Sequence, residues 1–114
     1  MDMGRNAPRP KVDPVPGILQ QAAAAVDSIR ARGGDVVFIR TPSSNKYFMI
    51  ESHAFPREKF WDPLLAATHS NGIYFLDYPE IAHFVCPEWS HLKPTDAVAY
   101  TKALIPLLPK TFVQ

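Results

Sequence analysis

Asp35-Val36-Val37-Phe38-Ile39-Arg40 is a run of β-branched and aromatic residues set between Gly33-Gly34 and the Thr41-Pro42 break. It is apolar without alternation, the pattern of a strand covered on both faces of a parallel sheet. Downstream, Ile73-Tyr74-Phe75-Leu76 has the same character, and Asp77 stands where that strand gives way to a loop. Between them, residues 57–68 carry Phe60, Leu64, Leu65 and Ala67 on one side of a helix, with Pro63 at a kink or in an early turn and Asn71-Gly72 as the stop. Strand, crossover helix and parallel strand form one right-handed unit of an α/β sheet. The two strands are expected to be parallel neighbours.

Working outward from that unit, residues 7–16 hold Pro8, Pro10, Pro14 and Pro16, which favour an extended connector. Residues 1–16 are read as a proline-rich lead-in and 17–109 as the α/β body of one partial domain spanning 1–114. Asp13 can cap the first helix, along which Ile18, Ala22, Ala25, Val26 and Ile29 recur until Gly33-Gly34 ends it. Its alanine run permits close packing on a sheet. Residues 41–56 read as a long loop opened by Thr41-Pro42-Ser43-Ser44-Asn45, with Tyr47-Phe48-Met49-Ile50 packing back on the body. Residues 79–84 fit a short helical turn. Thr95 is the expected N-cap of a closing helix whose inward stripe is Val98, Thr101, Ile105 and Leu108, bent by Pro106 near its end.

Two strands alone do not make an independently stable sheet. Three resolutions are open: an unrecognised amino-terminal strand, association with another chain, or membership in a larger doubly wound domain.

Composition narrows the function. The chain has 114 residues, 46% hydrophobic and 20% charged, which fits one small soluble domain with a real core. Twelve Lys and Arg against eleven Asp and Glu leave a net charge of +1, so nothing argues for nucleic acid or an anionic membrane as a partner. One cysteine excludes an internal disulfide framework and any multi-cysteine metal site, and Cys86 reads as a small buried apolar residue. No apolar run approaches membrane-spanning length, and Met1-Asp2-Met3-Gly4-Arg5-Asn6 is too polar for a secretory signal, so a cytoplasmic location is the default expectation. His53, His69, His83 and His91 lack zinc-protease spacing, and neither a metal nor another cofactor is expected.

The chemistry concentrates in Cys86-Pro87-Glu88-Trp89-Ser90-His91-Leu92, just before the closing helix. A carboxylate that accepts a hydrogen bond from one imidazole nitrogen fixes the tautomer and leaves the other nitrogen free to take a proton. Glu88 and His91 have the spacing for this, and so do Glu80 and His83, which serve as the decoy pair.

On these residues the chain resembles the carboxyl-terminal part of the SGNH, or GDSL-like, hydrolase family. That family places an acid-x-x-His motif before its final helix, and Glu88-Trp89-Ser90-His91, followed by Leu92 and the helix from Thr95, looks like it, with glutamate for the more usual aspartate. Residues 30–39 are similar to the helix and strand before the family's substrate-side loop, and Gly4-Arg5-Asn6 is similar to its Gly-x-Asn-Asp block, with Ala7 where the aspartate stands. The resemblance implies a partial flavodoxin-like, SGNH hydrolase-like three-layer α/β fold with a small parallel sheet. It implies a catalytic base in His91, an orienting acid in Glu88 and an oxyanion donor in Asn6. It also implies a substrate loop involving Arg40, Ser43 and Trp89. The family's Gly-Asp-Ser nucleophile block has no counterpart here, since the only Gly-Asp, Gly34-Asp35, is followed by Val36 and opens a strand.

Each residue also has a plainer reading. His91 could bond backbone ahead of a helix, Trp89 could pack its loop, Ser43 or Ser44 could cap a turn, and Arg40 could end its strand as a solvated charge. Two functions from different classes follow. One is the later portion of a serine hydrolase for a small-molecule ester or acylated substrate, inactive without an upstream segment that brings the nucleophile. The other is a non-catalytic α/β protein that binds itself, as a homo-oligomer, or a partner chain through an open sheet edge.

Overall fold

The computed structural model describes residues 12–112; Asn6, and with it the Gly4-Arg5-Asn6 block, lies outside the described residues. The order of elements is helix α1 (Val15–Ala31), strand β1 (Val37–Arg40), α2 (Asn45–Ala54), α3 (Trp61–Thr68), β2 (Asn71–Tyr74), a 3-10 turn (Phe75–Asp77), α4 (Pro79–Ala82), and α5 (Pro94–Leu104). Two further 3-10 turns, Ile105–Leu107 and Lys110–Phe112, follow. The chain is thus a mixed helix and strand fold around a small parallel sheet.

β1 and β2 pair in parallel, Val37 opposite Asn71 through Arg40 opposite Tyr74. The second strand begins two residues earlier than its apolar run, so Asn71-Gly72 opens it rather than stopping a helix, and Phe75-Leu76 falls in the 3-10 turn. The helix stop is instead His69, left-handed at φ 50°, whose amide returns to Leu65 and Ala66. Gly72 is needed because the Trp61 ring lies against it, and a Cβ there would sit 2.6 Å from Trp61 Cζ2. Neither strand is covered on both faces along its length: only Ile73 is buried, and Ile39 is exposed.

α1 starts at Val15, two residues before the expected body, with Pro16 in its first turn and the Val15 amide donating to Asp13 Oδ1 at 2.9 Å. It ends in a Schellman arrangement, Gly33 N–H to Arg30 O and Gly34 N–H to Ile29 O, with Gly33 at φ 83°. The helix packs along α3 rather than on the sheet. Arg30 fastens the pair: its guanidinium donates to the carbonyls of Thr68 and His69 and to Ser70 Oγ, occupying the free carbonyl end of α3.

Residues 45–54, read from sequence as loop, form α2. Its hold is tertiary: Phe48 meets Phe75 edge-on at 6.1 Å, Tyr47 meets Trp89 at 6.1 Å, and Glu51 pairs with Arg40 at 2.9 Å. α5 is capped from Lys93, not Thr95, and its face is rotated from the expected stripe. Tyr100, Ala103, Leu104 and Leu107 point into the core with Leu108, whereas Val98, Thr101 and Ile105 face outward. The core gathers Ile73, Phe75, Ile81 and Tyr100 at the carboxyl end of the sheet, next to the loop that carries Glu88 and His91.

Candidate functional site

The loop before α5 is fixed to the carboxyl edge of β1 by one serine. Ser44 Oγ accepts the Cys86 amide at 2.9 Å, and the Ser44 amide donates to the Trp89 carbonyl, also at 2.9 Å. The buried Cys86 thiol donates to Pro42 O at 3.5 Å, and its burial pushes its pKa up, so it is held as a thiol. A turn closed by Trp89 N–H to Cys86 O turns the chain back. Trp89 adopts φ 79°, a left-handed conformation that costs a non-glycine residue about 1–3 kcal/mol and persists only where neighbours impose it.

That turn closes Glu88 onto His91. His91 Nδ1 lies 3.1 Å from Glu88 Oε1, and the His91 amide donates to the same oxygen. Ser90 donates its hydroxyl to Glu88 Oε2 at 2.8 Å and its amide to Oε1 at 3.3 Å, and Ser90 Oγ is also 2.9 Å from His91 Nδ1. These donors hold the Glu88 carboxyl below the usual carboxylate range, the Ser90 hydroxyl first among them. With Nδ1 occupied by the carboxylate, the imidazole presents Nε2; the side chains of His91 and Glu88 are 83% and 59% exposed, so the ring is accessible to a reacting group. Beside it a cleft of about 290 Å³ runs between Pro42, Ser90, His91, Leu92, Tyr100 and Thr101. The Tyr100 hydroxyl is buried with no hydrogen-bond partner among the described residues, and burial raises its pKa.

The decoy pair is not formed in the same way. His83 Nδ1 donates to the Pro79 carbonyl at 3.1 Å, and its ring lies 4.2 Å from that of Phe84.

The substrate-loop residues hold structure. Arg40 donates to Thr41 O and Ser43 Oγ, pairs with Glu51, and lies over the Phe75 ring at 5.6 Å. Arg40 is thus neither a solvated strand end nor a free anion binder. Ser43 is buried with its hydroxyl accepting from Arg40, which leaves it without the exposed, base-paired setting of a nucleophile. Trp89 packs edge-on against Tyr47, with Lys46 Nζ 6.0 Å from its ring centre. The structure therefore brings Glu88 and His91 together and places Arg40 and Ser43 in the connection from β1 to α2, which Arg40 braces. The roles that sequence reasoning missed are those of Ser90, which donates to Glu88, and of Ser44, read there as a turn cap, which pins the loop. Ser90 was within reach, because it stands next to His91 in a turn that closes on Glu88.

Among the described residues, no three His, Cys, Asp or Glu side chains gather in a metal-holding group, and no helix is long and apolar enough to cross a membrane. No protein-family model, curated protein or solved structure matches the chain.

Proposed function

We propose that the chain is the carboxyl-terminal portion of an SGNH-like serine hydrolase acting on a small-molecule ester or acylated substrate, with a flavodoxin-like sheet completed by further strands. The observation that carries this reading is the Glu88 Oε1 to His91 Nδ1 contact of 3.1 Å on a loop pinned to the carboxyl edge of β1, where α/β proteins place ligands. In the proposed reaction a serine from the completing segment attacks the acyl carbonyl while His91 Nε2 takes its proton. The same nitrogen then returns the proton to the leaving alcohol, and attack by water releases the acid. Glu88 holds the tautomer and stabilises the imidazolium, Ser90 holds Glu88, and Asn6 donates to the oxyanion.

The chain carries no Gly-Asp-Ser, so aryl esters should turn over feebly with it alone. Supplying a segment with that block, in cis or in trans, should raise the rate by orders of magnitude, since members of such a site act as a unit. The rescued activity should fall by roughly 10²–10⁴ in His91→Ala, fall less in Glu88→Gln, and persist in His83→Ala. Strong serine-reagent-sensitive activity from the chain alone, or rescue that survives His91→Ala, would refute the reading.

The second reading, a non-catalytic chain that binds through its sheet edge, draws on a different observation. Only β1 and β2 pair among the described residues, and Ile39 is exposed on β1.

A further inference from the structure

A second cleft opens at the same sheet edge, where the last residues of the two strands, Arg40 and Tyr74, pair in register and both line it. Phe55, Phe60, Trp61 and Leu64 complete its apolar wall, and these four lie outside the core around Ile73. The aromatic walls brace one another: Phe55 and Phe60 meet edge-on at 5.2 Å, Trp61 and Tyr74 at 5.4 Å. Trp61 is seated on Gly72, and Arg57 Cζ lies over the Tyr74 ring, 4.5 Å from its centre.

We propose that this cleft binds a single neutral aromatic ring. Its volume, about 170 Å³, leaves room for one ring: an engineered apolar cavity of about 150 Å³, enclosed where this cleft opens to solvent, takes up benzene. The two arginines that complete the lining are already committed. Arg57 makes two bonds of 2.7 and 2.6 Å to Asp77 with Asp62 nearby at 3.6 Å, and Arg40 pairs with Glu51 at 2.9 Å. An anion entering here finds both cations already paired, and a cation meets the guanidinium groups first, because they line the cleft and their three carboxylate partners do not. A neutral ring meets only aromatic edges and faces, in the edge-on geometry the walls already adopt. Because ion pairs and neighbouring rings hold the walls in place, little ordering accompanies binding. The proposal is independent of the hydrolase reading, because its readout is the environment of Trp61 and not turnover.

The test titrates benzyl alcohol into the purified chain carrying Trp89→Phe, which leaves Trp61 as the sole tryptophan, and follows its emission. A saturable change is expected, with sodium benzoate and choline chloride binding more weakly. Phe60→Ala, which removes a wall, and Leu64→Phe, which fills the cleft, should each raise Kd by about tenfold. Circular dichroism melts identify which variants are folded, and nuclear magnetic resonance shifts in the unaltered chain should centre on the Trp61 indole and Tyr74. A flat titration of folded protein, shifts centred elsewhere, a Kd unchanged in the folded variants, or tighter binding of benzoate or choline would each overturn the proposal.

Discussion

At the scale of single residues, the site is a carboxylate that gathers more donors than its neighbours can spare elsewhere. Glu88 accepts from the Ser90 hydroxyl and from the amides of Ser90 and His91 as well as facing Nδ1, and its pKa is lowered for that reason. A carboxyl with a depressed folded pKa lends its stabilisation fully above the ordinary value of 4.5 and loses it as the pH falls through the lower folded value. Protection of the Ser90 and His91 amides, taken relative to the unfolded-chain exchange rate at each pH, should therefore be present at neutral pH and be lost only well into acid. Glu88→Gln should lack that protection at every pH, and an unchanged protection profile in that variant would show that the carboxylate does not hold the turn. The acid and histidine were legible as a candidate pair from their spacing, but so were Glu80 and His83; what separates them is the tight turn at Cys86–Trp89, which closes Glu88 onto His91. Asn45, His69 and Trp89 in left-handed backbone were not, since nothing in those side chains announces a conformation that tertiary contacts impose.

At the scale of elements, the parallel pair was readable because unbroken apolar runs leave few other placements. Its edges were not, because Phe75 and Leu76 continue the apolar run of β2 although they turn out of the sheet. α2 was invisible for a physical reason. It buries no residue completely, and Phe48, Tyr47 and Glu51 are held by partners distant in sequence. α5 carries apolar residues around much of its circumference, so periodicity alone turned Val98, Thr101 and Ile105 inward, whereas the Tyr100 ring against Phe84 at 5.9 Å marks the face that is buried. The joint between α1 and α3 gives the sharpest expectation at this scale. Arg30→Ala removes three charge-assisted bonds from the end of α3 and should destabilise the chain by about 1–2 kcal/mol, read from its urea midpoint. Arg30→Lys should recover only part of this, because an ammonium lacks the fork that reaches two carbonyls and a hydroxyl together. A midpoint unmoved in both variants would mean that helix packing alone secures the joint.

At the scale of the molecule, the described residues bury few apolar side chains: Val26, Ile73, Phe75, Ile81, Cys86 and Tyr100. Met49, Ile50, Phe55, Val98 and Ile105 remain outside, and among the described residues each strand has one edge without a strand partner. A parallel sheet normally has both faces covered, and a two-stranded one is marginal on its own. Sedimentation of the isolated chain should show concentration-dependent association, with a broad unfolding transition at low concentration. A monomer at all concentrations that unfolds in one sharp step would overturn this. That two strands make a small sheet was legible from the count of apolar runs; which surfaces stay open was not, because that depends on the rotation of α5 and on how far the sheet is covered.

Ser44 ends the strand loop, begins α2 and grips the histidine loop through both its hydroxyl and its amide. α2, mostly in solvent, is therefore a lever whose fulcrum holds the loop on either side of Glu88. A tilt imposed on its outer end would pass through those two hydrogen bonds to Cys86 and Trp89.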